Sequence, residues 1–279
     1  MAETSGGDRS RRRSKIAPHD SLYGHEAALR ATLPWALALI GGFVGAGIIA
    51  AILPIDGLFA GIDAELADEY AAELLYVSIL GLELLFLTIA ARGLKRAGIL
   101  DAVISVRPVS RADIKAGALC ALASLGFGLV LGVTEFLGAG LIGQASGLQT
   151  LAAADGEAAS AGSSPGGLAD TALTITYWLT LGIALIVAAP IFEEIVFRGW
   201  LQPYLRGIGL SRIAAIGLTA ALFGLVHISP LSIVSSSISG VLYGVAREWT
   251  GRLAAPMIAH ALHNAVVFLV LLIAFYVVV

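Results

Sequence analysis

The chain has 279 residues, of which 58% are hydrophobic and 13% charged, with a net charge of −3. Soluble domains carry about 25% charged residues, so this composition, with a mean hydropathy of +0.88, excludes a water-soluble globule and predicts an integral membrane protein. The charge balance offers no basic surface for nucleic acid, and the single cysteine, Cys120, excludes an intramolecular disulfide and a cysteine-based zinc site.

Residues 1–30 are polar, carry Arg9, Arg11, Arg12, Arg13 and Lys15, and lack apolar periodicity, which predicts a disordered basic tail ahead of a transmembrane domain over 31–279. The first apolar run, Pro34 to Ile52, follows a long polar leader and nearly spans a bilayer, so it is expected to be a retained anchor rather than a cleaved signal peptide. Further spans are expected near Ala71 to Ala91, Ala116 to Phe136, Leu173 to Leu205, Ile213 to Ile228, Leu231 to Ala246 and Leu253 to Val279. The fold class predicted is all-α, a polytopic transmembrane bundle of about seven helices.

Every second connection is basic. The tail, the stretch from Arg92 to Lys115, the turn holding Arg206 and Arg212, and the turn holding Arg247 and Arg252 carry Lys or Arg, whereas Leu53 to Tyr70, Leu137 to Ala172 and the turn at Ser229 and Pro230 carry none. Cytoplasmic loops collect Lys and Arg. The pattern predicts a cytoplasmic N-terminus and an external C-terminus; the expected location is the plasma membrane. The external stretch Gly140 to Asp170, rich in Gly, Ala and Ser, is expected to be flexible.

Three patterns of polar and ionisable residues interrupt the apolar spans: Glu193-Glu194-x-x-x-Arg198-Gly199, Phe223-x-x-x-His227 and His260-x-x-x-Asn264. A charge at the bilayer centre costs about 2.5 to 3.5 kcal/mol on insertion scales, so such residues face a protein interior or a wet cavity and mark function. With Arg206, Arg212 and Arg252 taken at the membrane surface, a rise of about 1.5 Å per residue puts Glu193, His227, His260 and Asn264 at depths of roughly 20, 22, 12 and 18 Å. One layer of the membrane would hold all four. Pro190, Pro230 and Pro256 each lie within four residues of a motif, and backbone groups freed by proline are tolerated in a membrane where they line a buried or watery cavity.

In this order the motifs resemble the CPBP intramembrane proteases, which include the CAAX prenyl endopeptidases and bacteriocin-processing or immunity proteins. The resemblance covers about 173–268. Amide hydrolysis needs a held water, a base for its proton and donors for the oxyanion. Glu193 is the candidate base, His227 could orient the water or relay its proton, and His260 with Asn264, four apart on one helix face, could aim donors at one oxygen. The resemblance implies the same division of roles. Glu194 and Arg198, also four apart, are expected to neutralise one another as scaffold, Phe223 to line the site or simply fill the core, His263 to be structural, and Glu83 to make an interhelical hydrogen bond.

No cofactor is expected. A zinc site on Glu193, Glu194, His227 and His260 is the alternative, although there is no His-Glu-x-x-His helix and Arg198 disfavours a cation. A serine-protease reading of Ser237-Ile238-Ser239-Gly240 with His260 lacks the first glycine of Gly-x-Ser-Gly. A proton-coupled transporter or a non-catalytic immunity scaffold is the alternative from another class. For an endopeptidase, the expected partners are the lipid bilayer and a membrane-associated peptide or protein substrate.

Overall fold

The computed structural model describes residues 32, 81–82, 84–104, 108–142, 168–227 and 230–278. Among the described residues there is no strand, and the protein is an all-α membrane bundle. Its helices are α1 (Leu100–Ile104), α2 (Arg111–Ile142), a composite rod α3 running from Leu168 to Gly207, α4 (Arg212–Leu225), α5 (Pro230–Thr250) and α6 (Ala254–Val278), with residues 84–96 also helical. The expected spans from Ala116 onward correspond to α2 through α6. The tail, the span at Pro34 to Ile52, Glu83 and residues 143–167 of the external loop lie outside the described residues.

Arg111–Thr134, Thr174–Gly207 and Ala254–Val277 are long and apolar enough to cross a membrane. By contrast α4 has 14 residues, a length of about 21 Å that falls short of a hydrocarbon core of about 30 Å. The distribution of polarity is the reverse of a soluble protein. Leu122, Leu129 and Val277 face outward at 67%, 69% and 77% exposure, while Glu194 and Arg198 are completely buried. Such a surface is stable where the surroundings are hydrocarbon.

Two prolines shape α3. The rod passes from α-helix into a π-helical turn at Ala184–Ala188, returns to α-helix over Ala189–Glu194, enters a second π-helical stretch at Ile195–Leu201, and ends as α-helix over Gln202–Gly207. Each π stretch directly precedes the turn containing a proline, Pro190 or Pro203. Proline lacks an N–H and its ring clashes with the carbonyl four residues back. Widening the turn to i→i+5 bonding relieves that clash. The Ala189 N–H accordingly reaches Ala184 O, and the Gln202 N–H reaches Phe197 O.

Helices α4 and α5 run antiparallel at close range. An added Cβ at Gly224 would lie 2.5 Å from Ile233 O, and one at Gly240 would lie 3.1 Å from the Ala220 Cα. Small residues permit this approach, which is the main means of helix association in lipid. Helices α2 and α6 run parallel, since Gly117 meets Ile258 and Ser124 meets His263. Asp113 in the first turn of α2 pairs at 2.9 Å with Arg252, just ahead of α6, and also accepts from the Ser110 N–H at 2.7 Å. Arg212 pairs with Glu248 at 3.1 Å, to which Gln202 also donates. The charged connections therefore gather at the same ends of the helices, in keeping with the alternation of the loops.

Candidate active site

The α-helical turn between the two π stretches carries Glu193 and Glu194, both buried. Arg198, one turn on, donates from Nη1 to Glu194 Oε1 at 2.8 Å and from Nη2 to Gly240 O at 3.0 Å. Its guanidinium carbon sits 4.3 Å from the centre of the Phe223 ring, a cation–π contact that compensates part of the charge burial. Gly199 follows because α1 presses on this face, and a Cβ there would come 2.6 Å from Val103 Cγ1.

The pairing of Glu194 with Arg198 expected from spacing is present, and it has a third member. His260 donates from Nδ1 to the same Glu194 Oε1 at 3.0 Å. The other ring nitrogen, Nε2, then faces Glu193 Oε2 at 3.9 Å. That oxygen has no hydrogen-bond partner among the described residues, although Glu193 is only 7% exposed. A buried carboxylate oxygen without a donor is costly, and Glu194 Oε2 shares this state beside it.

Phe223 forms the hub between the histidines. Its ring contacts His227 at 5.1 Å and His260 at 5.7 Å, both edge to face. His227 closes its own helix turn by donating from Nδ1 to Phe223 O at 2.9 Å, which leaves Nε2 as its free nitrogen. Asn264, one turn beyond His260, donates from Nδ2 to Leu185 O at 2.8 Å. The structure thus brings Glu193, Glu194, Arg198 and His260 into direct proximity, joins His227 to them through Phe223, and sets Asn264 against the same rod nearer its start.

Sequence reasoning missed Tyr243 and Ser124, and it weighed Ser239 only within a serine-protease pattern. Tyr243 stacks on the His260 ring at 5.1 Å and 22°. Behind it, Ser124 of α2 lies 2.8 Å from His263 Nδ1 and 2.6 Å from Ser239 Oγ, so His263 belongs to a polar cluster backing the site. Ser239 also donates to Ser235 O at 3.0 Å. No motif spacing could have signalled Ser124, because its partners come from α5 and α6.

Among the described residues no three His, Cys, Asp or Glu side chains are gathered to hold a metal. Glu194 Oε1 is already shared by a guanidinium and an imidazole N–H.

Residues 175–266 match the family model described as Type II CAAX prenyl endopeptidase Rce1-like. The matched segment holds all three motifs, so over these residues the chain is similar to that family. No curated protein and no solved structure matches the chain.

Proposed function

We propose, from the premise that the motif-bearing region is that of a CAAX-type intramembrane endopeptidase, that this protein hydrolyses peptide bonds of membrane-associated peptides with a water activated by Glu193 and oriented by histidine. The observation that carries the reading is the 3.9 Å separation of Glu193 Oε2 and His260 Nε2. It is too long for a direct hydrogen bond, and it suits one water about 2.8 Å from each atom. With Nδ1 committed to Glu194, Nε2 is the nitrogen that faces the water and would accept from it. A water between that nitrogen and a carboxylate oxygen donates to both, which turns its own lone pairs toward an incoming carbonyl carbon.

Glu193 takes the proton as the water attacks. His227, free at Nε2, relays it toward the departing amide nitrogen. The second N–H of Asn264 is available to the oxyanion. The sequence assigns His260 to the oxyanion as well, but an Nε2 lone pair suits orientation of the water better. No step requires a metal. The loop charges favour a cytoplasmic N-terminus, and the plasma membrane is the location that goes with this reading.

The test is mass spectrometry of lipid-tailed and untailed membrane peptides incubated with purified wild type and with Glu193→Ala. New peptide termini are expected with the wild type alone. A panel left intact by both proteins overturns the reading in favour of a transporter or an immunity scaffold.

A further inference from the structure

The prolines of α3 strand two particular carbonyls. In an i→i+5 turn the carbonyl of Leu185 looks for the N–H of residue 190, and that of Arg198 for the N–H of residue 203; both positions are proline. The neighbouring donors are committed elsewhere, Ala189 to Ala184 O and Gln202 to Phe197 O. A backbone carbonyl left bare in hydrocarbon costs several kcal/mol. Each has instead been taken by a polar side chain of another helix. Asn264 of α6 donates to Leu185 O at 2.8 Å, and Arg247 of α5 donates from Nε to Arg198 O at 3.3 Å.

We infer that Arg247 is a positioning residue for the Glu193-Glu194 turn and that Asn264 is its counterpart at the other end, each replacing the backbone donor that a proline withholds. The two clamped carbonyls bracket that turn along α3, eight residues before Glu193 and four after Glu194. Arg247 is 3% exposed and belongs to none of the three motifs. Its hydrogen bond fixes the backbone of Arg198, and through the Arg198 side chain it fixes Glu194 and then His260. Asn264 fixes the approach of α6, which carries His260. The role of both residues in turnover rests on the hydrolytic reading above, whereas the substitution of side-chain donor for backbone donor stands without it.

The experiment is a pair of double-substitution cycles on the purified full chain, read by thermal unfolding and by kcat and KM on a fluorogenic lipid-tailed peptide cut by the wild type. Pro203→Ala restores a backbone N–H to the Arg198 carbonyl, and Pro190→Ala restores one to Leu185. Arg247→Met is expected to lower kcat about tenfold with KM unchanged, the loss of one buried hydrogen bond acting through position. In the Pro203→Ala background most of that loss should disappear, and Arg247→Lys should retain more activity than Arg247→Met. Asn264→Ala should likewise destabilise the fold much less when Pro190→Ala is present. Equal losses with and without the proline overturn the inference. So does a kcat that stays at the wild-type value in Arg247→Met while stability falls, because Arg247 would then be structural only. If Arg247→Met does not fold, the Asn264 and Pro190 cycle decides. If the wild type cuts no peptide, the hydrolytic reading fails and the thermal cycles still decide whether side chains replace the missing donors.

Discussion

His260 and Glu194 lie 66 positions apart in the chain and meet at 3.0 Å between Nδ1 and Oε1. This contact commits Nδ1 to Glu194 and turns the other ring nitrogen toward Glu193. Glu194 therefore does more than neutralise Arg198, since one carboxylate oxygen joins the guanidinium to the imidazole and fixes both.

The first consequence concerns Glu193. Glu193→Gln keeps the shape of the side chain but cannot accept the water proton, so peptidase turnover should fall by about two to four powers of ten. Melting temperature and helical content should stay near wild type. Turnover close to wild type would remove Glu193 from the role of base.

Glu194→Gln should act on stability as well as rate. It removes the charge that compensates a completely buried Arg198, and breaking a buried pair from one side costs about 3 to 5 kcal/mol. Thermal unfolding and kcat should fall together. A variant that melts like wild type yet is inactive would place Glu194 among the groups acting directly on substrate.

Gly224→Ala tests the close crossing of α4 and α5. The new methyl would meet Ile233 O at 2.5 Å, and overpacking of this kind costs about 1 to 3 kcal/mol. The helices should separate and carry His227 away from the site, lowering both melting temperature and kcat. Unchanged activity would show that the position of His227 relative to α5 is immaterial.

Single cysteines introduced as Arg96→Cys, Arg206→Cys and Ser163→Cys, in a Cys120→Ala background, should report topology. The first two should react with an impermeant maleimide only from the cytoplasmic side and the third only from outside, following the loop charges. Reversed labelling inverts the orientation.

Exhaustive chelation should leave activity intact, and metal analysis of active protein should find well under one ion per chain. Added zinc should restore nothing. Stoichiometric zinc lost together with activity in His260→Ala would replace the metal-free water by a metal-bound one.

Much of this site is legible in the sequence because it depends on local geometry. Composition alone places the chain in a membrane, and charge in an apolar run marks the candidate site residues. Spacing of four residues foretells the pairing of Glu194 with Arg198 and the proximity of Phe223 to His227, since positions four apart share a helix face wherever the helix goes. Positive charge every second connection foretells which helix ends lie together. The remainder was decided by rotation of each helix about its axis and by distance of approach, quantities that no local spacing encodes. Sequence could not say that His260 would turn Nδ1 to Glu194 rather than Glu193, because the two glutamates are adjacent and only packing chooses between them. Nor could it find Ser124, 139 positions from His263. Pro190 and Pro203 are visible as disruptions, but which carbonyls they strand depends on whether the rod kinks or widens, and which side chains answer depends on the helices packed beside it.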